Sequence, residues 1–469
     1  MKKKVFILSV LAAIFLSSCV IESLDESLAE HERINKFIID GVQTYYLWEA
    51  ETDWKKYNNR NTYSSYTDHD KLFKQLIYRD DAWSTLTEDI KGLENQFSGI
   101  STTFGYTLSF YYNPYTNNGE VIAIILYTSS GSPAERGGLK RGDVIIEING
   151  NKLTANNYRE LYAASSLTIR CGKVNLDAKT ITPLPEVTKI TAVQMYENPV
   201  NTKKVIVKGV NKIGYLCYTG YQRESENELF QLFSEFKSAG VKDVVLDLRY
   251  NPGGYSRTAQ ILSSILAPES AVKNKKVYLE HHYNKLYTEY LKKNGHALNE
   301  TFLDTLPVNM NLNRLFVLTG KNTASASEAT MVGLDPYLQV IQIGDTTSGK
   351  FCGGVLLAPE DIYDEKNKSY YEGFENWGMY IMIYRYANIK GITSFSGRLV
   401  PDILVKENDL DLKPFGDEDD PLLGRALAQI TGVPYVEKRS AKMDVPLIAL
   451  PSLKKPALIV TTASLPLLH

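Results

Sequence analysis

Residues 315–350 hold the sequence feature that most constrains this fold: a short apolar run, a polar break and then a run of small residues. The apolar run 315–318, Leu-Phe-Val-Leu, predicts a buried strand, and Thr-Gly-Lys-Asn at 319–322 ends it. The small residues that follow predict a helix. The chain therefore presents serine at a strand-to-helix turn, where unpaired backbone N–H groups can hold a developing oxyanion.

Two serines and one lysine in this stretch are candidates for chemistry. Ser325 or Ser327 could supply the attacking hydroxyl, and Lys350 is the candidate base because a serine hydroxyl needs one beside it. Ser–Lys is an accepted form of the nucleophile–base pair. However, Ser325 and Glu328 also fit a helix capping box, in which both side chains only satisfy N–H groups. The four residues 325–328 alone leave both interpretations open.

Three motifs resemble those of the C-terminal processing peptidases, also called tail-specific proteases. They are Thr-Ala-Ser-Ala-Ser-Glu at 323–328 with the later Lys350, Leu-Asp-Leu-Arg-Tyr-Asn-Pro-Gly-Gly at 246–254, and Val-Pro-Asp-Ile at 400–403. The resemblance implies that Ser325, rather than Ser327, is the nucleophile and that Lys350 is its base. It also implies a serine endopeptidase that needs no cofactor or metal.

The same resemblance implies an oxyanion hole made of backbone N–H groups. Ala326 would supply one donor and Gly253 or Gly254 the other, and the residues leave the choice of glycine open. A plain tight turn is the alternative for the Gly-Gly pair.

One position departs from the family pattern. The family often has a glutamine four residues after the lysine to orient it, whereas this chain has Gly354. Glu328 or Asp345 are the candidates to orient Lys350 in its place. Lys350 must also be buried to accept a proton near pH 7, because its ordinary pKa is about 10.4.

Histidine is not expected to act as the base, because the histidines match no catalytic pattern. All six are predicted to be surface residues: His31, His69, His281, His282, His296 and His469.

Residues 93–183 are predicted to form a PDZ domain, because the string Ser-Pro-Ala-Glu-Arg-Gly-Gly-Leu-Lys-Arg-Gly-Asp from 132 strongly resembles bacterial PDZ domains. A PDZ domain binds an extended peptide at a sheet edge and captures its carboxylate with backbone N–H groups. By position, the carboxylate loop should comprise Phe104, Gly105, Tyr106, Thr107 and Leu108. An inert strand bend at Gly105 is the alternative.

The remaining chain divides by its periodicity. Residues 28–92 predict a small helical N-terminal domain, in which Asp81-Ala82-Trp83-Ser84 weakly resembles a family signature. A strand at 212–218, a helix at 226–239 and a strand at 241–248 predict a βαβ unit. Residues 184–432 are thus expected to form the protease domain, and 433–469 a tail without assigned function. The predicted fold is a multidomain α/β (α+β) protein whose protease domain is, by resemblance, of the ClpP/crotonase-like type.

The first residues predict export. Lys2, Lys3 and Lys4 precede an apolar run at 5–16 that is too short to span a bilayer, so residues 1–18 are interpreted as a signal peptide. Leu-Ser-Ser-Cys at 16–19 resembles a bacterial lipobox, which implies lipidation of Cys19, a tether at 19–27, and a location in the cell envelope on the periplasmic or outer-membrane side. An ordinary signal peptide is the alternative.

The composition limits the classes of partner that are expected for this chain. A formal charge of −2 gives no reason to expect nucleic acid, and 43% apolar residues indicate a globular protein. Cys171, Cys217 and Cys352 have no metal-ligand spacing and imply no disulfide framework. Protein or peptide substrates are the expected partners. Two alternatives remain open: a catalytically inactive peptide-binding relative, and a surface lipoprotein that binds peptides or glycans.

Overall fold

The computed structural model describes residues 24–25, 27–116, 118–392, 397–436 and 447–451. Cys19, the predicted signal peptide and His469 lie outside these ranges. Within them, no helix combines the length and the apolar character that crossing a bilayer requires. The predicted mixed α/β architecture is confirmed.

The N-terminal part is mainly helical. Its elements are α1 (Glu30–Tyr45), α2 (Trp54–Tyr57), α3 (Arg60–Tyr63), α4 (His69–Leu76), β1 (Thr85–Thr87) and α5 (Ile90–Phe97). In α1, the buried residues Phe37, Ile38 and Val42 recur at helical spacing and form one apolar face. This face belongs to the same continuous hydrophobic cluster as the protease sheets, so the N-terminal helices have no separate core.

The PDZ region is a seven-stranded antiparallel sheet in the order β3-β4-β5-β7-β8, with β6 on β5 and β9 on β7. Its elements are β2 (Ile100–Thr103), β3 (Tyr106–Tyr112), β4 (Val121–Thr128), α6 (Pro133–Arg136), β5 (Val144–Ile148), β6 (Asn151–Lys152), α7 (Glu160–Ala163), β7 (Ser166–Asn175), β8 (Thr180–Pro183), β9 (Thr188–Thr191) and β10 (Val193–Tyr196). β10 pairs with β2 outside this sheet. Strand β3 lies at one end of the PDZ sheet.

The protease region follows with alternating strands and helices. They are β11 (Val200–Lys208), β12 (Asn211–Tyr218), α8 (Glu226–Ser238), β13 (Asp243–Asp247), α9 (Ser256–Leu266), α10 (Glu269–Lys273), β14 (Val277–Tyr283), α11 (Lys285–Lys293), β15 (Asn299–Thr301), β16 (Arg314–Thr319), α12 (Ala326–Leu334), β17 (Gln339–Gly344), β18 (Cys352–Leu357), α13 (Pro359–Tyr363), α14 (Lys368–Tyr371), β19 (Gly378–Ala387), β20 (Ile403–Leu404) and α15 (Pro421–Thr431).

The main sheet of this region has the order β11-β12-β13-β16-β17-β20 and is parallel from β12 onward. Its central strands are apolar on both faces. Val244 and Val317 contribute to the core shared with α8, α9 and α12, whereas Val245 and Phe316 pack against α15. Apolar runs are typical of parallel strands covered by helices on both sides, which is why 241–248 and 315–318 could be predicted as strands.

A second sheet is antiparallel throughout. It joins β18 to β19, and β19 also pairs with β1 and β14. Helix α1 packs closely on β19, since a Cβ on Gly41 would lie 2.9 Å from the Met379 side chain. The N-terminal segment is therefore held against β19.

The PDZ and protease regions are joined through Arg141, which follows α6. Its guanidinium donates to the Tyr250 hydroxyl (2.9 Å), to Glu407 (2.6 Å) and to the Lys413 carbonyl oxygen (2.8 Å). Buried Arg249 shares the Glu407 carboxylate at 2.7 Å. A buried cation surrounded by several acceptors fixes the relative position of the elements that supply them.

The prediction that all histidines lie at the surface is wrong for His281. His281 is only 8% exposed, and its ring stacks on the Tyr384 ring with the two ring centroids 4.2 Å apart. Burial lowers the pKa of His281 to about 3. The error has a physical reason: β14 continues a sheet whose side chains are covered, which the polar sequence around His281 does not reveal.

Candidate active site

Ser325 lies at the turn between β16 and α12, immediately before the first helical residue, Ala326. Its φ of +65° is a left-handed conformation that is strained for a residue with a side chain. The side chain is fully buried, and its Oγ has no hydrogen-bond partner among the described residues. Ser327 differs, because its hydroxyl donates to the Asn251 carbonyl oxygen at 3.1 Å.

The Glu328 carboxylate holds Ser325 and Lys350 together. Oε2 accepts the N–H groups of Ser325 (2.7 Å) and Lys350 (2.9 Å), and Oε1 accepts the Thr347 hydroxyl (2.6 Å) and the Gly349 N–H (2.7 Å). Only the glutamate half of the predicted capping box is formed, since the Ser325 hydroxyl caps nothing. Burial raises the pKa of Glu328, while these four donors lower it.

Tyr386 makes a second connection between the two residues. Its hydroxyl lies 3.0 Å from the carbonyl oxygen of Ser325 and 3.0 Å from that of Lys350. Both chain segments are thus fixed through their backbones.

The Gly-Gly turn after β13 packs directly on Ser325. A Cβ on Gly253 would lie 2.7 Å from Ser325 Cβ and 3.0 Å from Ala326 N. Asn251 braces this contact, because its Oδ1 accepts the Gly253 N–H (2.8 Å) and its carbonyl oxygen accepts the Ala324 N–H (3.2 Å). Glycine is required at 253 for this approach, which no other residue could make.

Lys350 is fully buried, and two aromatic rings flank its amine. Nζ lies 5.6 Å from the ring centroid of Tyr380 and 5.8 Å from that of Trp83. Burial lowers the pKa of Lys350 to about 8, opposed by the nearby Cys352, Asp81 and Glu328. An amine with this pKa is partly neutral near physiological pH, as a base must be.

No role was predicted for the turn that carries Trp83. Asp81 organises it: Oδ1 accepts the N–H groups of Trp83 (2.8 Å) and Ser84 (3.0 Å), and Oδ2 accepts the hydroxyls of Ser84 (2.6 Å) and Tyr46 (2.8 Å). The Ser84 hydroxyl in turn accepts the Met382 N–H at 3.1 Å. The only signal that could have revealed this turn was the weak family signature at 81–84.

Glu328 and Asp345, the two residues predicted to orient Lys350, make different contacts. Glu328 fixes the Lys350 backbone, whereas the Asp345 carboxylate accepts the Thr346 N–H (2.8 Å) and lies 4.0 Å from Lys321 Nζ. Position 354 has no space for a side chain, because a Cβ there would lie 2.6 Å from the Ile381 carbonyl oxygen and 2.7 Å from Tyr380 Cζ. The Tyr380 ring occupies the region beside Lys350 instead.

The predicted PDZ carboxylate loop, residues 104–108, is largely buried. Gly105 has φ +75° and donates its N–H to the Thr103 hydroxyl at 2.9 Å. Leu108 donates its N–H to the Tyr162 hydroxyl of α7, also at 2.9 Å. The side chains of Phe104, Tyr106 and Leu108 belong to the PDZ core.

The arrangement combines a hydroxyl without a partner, a buried amine of lowered pKa and backbone N–H groups at a helix start. These are the parts that acyl transfer through a serine requires. In the described residues, no group of three or more His, Cys, Asp or Glu side chains could hold a metal ion.

Comparisons with known proteins agree with this chemistry. Residues 212–405 match the model of peptidase family S41, and residues 124–169 match a PDZ domain model. The carboxy-terminal processing protease CtpA of Bacillus subtilis is 29% identical over 314 residues, which cover 65% of this chain and 60% of that protein. The carboxyl-terminal-processing protease of Synechocystis is 25% identical over 305 residues, 65% of each chain. The chain thus spans less than two thirds of the length of these relatives.

Solved structures show the same fold. An S41 protease from Bacteroides fragilis has a TM-score of 0.67 at 23% identity. The match covers 85% of this chain and 97% of the Bacteroides fragilis chain. The photosystem II D1 C-terminal processing protease has a TM-score of 0.50 at 18% identity. This match covers 81% of this chain and 94% of the other chain.

Proposed function

We propose, from the matches of residues 212–405 to peptidase family S41 and of residues 124–169 to a PDZ domain, that this chain is a serine endopeptidase that uses Ser325 as nucleophile and Lys350 as base. The observation that carries the proposal is the shared carboxylate oxygen of Glu328, which brings the backbones of both residues to one point. The free Ser325 hydroxyl and the lowered pKa of Lys350 support it.

The reaction is acyl transfer. Neutral Lys350 removes the proton of the Ser325 hydroxyl as its oxygen attacks the carbonyl carbon of the scissile peptide bond. The protonated amine then gives a proton to the leaving nitrogen, and the acyl-enzyme forms. Water attacks the ester, again with Lys350 as base, and Ser325 regains its proton when the new carboxylate departs.

Backbone N–H groups stabilise the oxyanion. Ala326 supplies one, because it is the first residue of α12 and its N–H has no intrahelical acceptor. Of the two glycines, Gly254 is the better second donor, since the Gly253 N–H is already donated to Asn251. The close approach of Gly253 to Ser325 and to the Ala326 nitrogen supports this turn as the source of the second donor.

Substrate recognition and location are the finer parts of the proposal. The PDZ domain would recognise C-terminal or unfolded tails of proteins by adding them to the edge of β3. The predicted signal peptide and lipobox would export the chain and anchor it to the envelope through Cys19. Two relatives that process carboxyl termini support this class of substrate.

Hydrolysis of fluorescein-labelled casein, an unstructured protein, tests the catalytic assignment. Ser325→Ala and Lys350→Ala should each reduce kcat/KM by about a thousandfold or more, with unchanged circular dichroism. Ser327→Ala is the matched control and should retain most activity. Equal cleavage by wild type and Ser325→Ala would refute the nucleophile, and full activity of Lys350→Ala would refute the base.

A second candidate function is peptide binding without catalysis. It is favoured by the absence of a glutamine at position 354. In that case purified wild-type protein would bind peptides but would not cleave casein at any pH between 6 and 9.

A further inference from the structure

Segment 447–451 lies along the free edge of β3, the end strand of the PDZ sheet. The Tyr112 N–H donates to the Ile448 carbonyl oxygen at 3.0 Å, and the Leu450 N–H donates to the Phe110 carbonyl oxygen at 3.0 Å. Ala449 pairs with Tyr111 between these bonds in antiparallel orientation. The segment therefore adds a strand to the sheet.

Side chains of the segment pack on both faces of the PDZ sheet. Leu450 contacts the core cluster that contains Phe110, and Leu447 contacts the cluster that includes Tyr111. Ile448, in contrast, is 64% exposed. The contact thus has an apolar anchor as well as backbone bonds, as peptides added to a sheet edge do.

The direction of the segment is that of a peptide ligand. Ile448 lies opposite Tyr112 and Leu450 lies opposite Phe110, so the chain runs toward residues 104–108 at the start of β3. Further along this edge, the Leu108 N–H is taken by the Tyr162 hydroxyl. The edge to which an external peptide would add is therefore already occupied.

We propose that segment 447–451 is an intramolecular ligand of the PDZ edge and that an external peptide must displace it to bind. The proposal rests on the proposed peptide binding by the PDZ domain, but it does not require hydrolysis. A tethered ligand acts at an effective concentration of roughly millimolar, so it weakens the apparent affinity of a competitor without altering the site.

Binding of a fluorescein-labelled peptide with the sequence of residues 447–451, Leu-Ile-Ala-Leu-Pro, tests the proposal by fluorescence polarisation. The full chain carrying Ser325→Ala is used, so that the peptide is not cleaved. Adding Leu450→Pro removes the N–H that bonds to Phe110 and the apolar anchor. The external peptide should then bind about tenfold more tightly or better. Ile448→Ser is the control, because that side chain faces solvent, and it should leave the affinity unchanged.

Hydrogen exchange of the Tyr112 amide gives a second readout. The amide should be protected in the full chain, and Leu450→Pro should accelerate its exchange. Equal or weaker binding by Leu450→Pro, no binding by either protein, or an unprotected Tyr112 amide would overturn the proposal. Loss of casein hydrolysis in the Ser325-containing protein would instead concern the proposed protease function and would leave this binding result unaffected.

Discussion

The backbone N–H groups of Ser325 and Lys350 donate to one and the same oxygen, Oε2 of Glu328. The two residues are 25 positions apart in the sequence, and the carboxylate between them is buried. The proposed nucleophile and the proposed base therefore both depend on this one acceptor.

Glu328→Gln should reduce both stability and activity. The amide presents an NH2 group where the carboxylate accepted N–H donors, so at least one buried donor faces another donor. We expect a loss of about 2–4 kcal/mol in the free energy of unfolding, measured in urea, and a reduced kcat for casein. Exposed Glu360→Gln is the control and should change neither quantity. Unchanged stability of Glu328→Gln would contradict the structural role given to this carboxylate.

Activity should rise with pH through about 8. Lys350 accepts a proton only when it is neutral, and burial lowers its pKa to about 8. Below that pKa the neutral fraction falls about tenfold for each pH unit, so kcat/KM should fall in the same proportion. The check is the casein kcat/KM profile from pH 6 to 9. A profile that is flat across this range would argue against Lys350 as the base.

Asp81→Asn should move the midpoint of that profile to lower pH. The Asp81 carboxylate raises the pKa of Lys350, so the removal of its charge should lower this pKa. Asparagine keeps an oxygen for the Trp83 and Ser84 N–H groups, and the other groups near the amine, Glu328 and Cys352, are unchanged.

Asp80→Asn is the matched control for this experiment, because Asp80 is exposed and neighbours Arg79. Its profile should coincide with that of wild type. A purely structural effect of Asp81→Asn would lower kcat at every pH and leave the midpoint in place, which would refute an electrostatic influence on Lys350.

Gly354→Ala should destabilise the protein and should not improve catalysis. The added Cβ would lie 2.6 Å from the backbone oxygen of Ile381, which cannot move without disturbing the β18–β19 pairing. We expect a loss of about 1–3 kcal/mol by thermal or urea unfolding. Gly220→Ala is the control, since its Cβ would meet nothing closer than 3.6 Å. Full stability with increased activity would show that position 354 can accept an orienting residue after all.

Much of the local structure could be predicted because its causes are local. Helix α8 spans Glu226–Ser238, close to the helix predicted at 226–239, and β16 contains the apolar run 315–318. The strand-to-helix turn at Ser325 follows from the change of pattern between these elements. The prediction that His281 is exposed failed, because the cover over β14 comes from other strands and cannot be inferred from its neighbours in sequence.

The surroundings of Lys350 could not be predicted from the sequence. Trp83 and Lys350 are far apart in the sequence. Nothing in either local sequence indicates that the centroid of the Trp83 ring lies 5.8 Å from the Lys350 amine. The same holds for Leu450 and Phe110, whose pairing joins the last described residues to the PDZ edge.

The sequence by itself determined the types of element, the serine at a helix start and the candidate lysine, because periodicity, turn residues and small-residue runs act over a few neighbouring positions. Only the tertiary structure decided that the Ser325 hydroxyl, unlike that of Ser327, has no partner among the described residues. It also decided how deeply the Lys350 amine is buried and that the Glu328 carboxylate joins the two backbones. These properties arise from packing between segments that are distant in the chain, and the free energy of burying a charge or a donor depends on all of the groups that surround it.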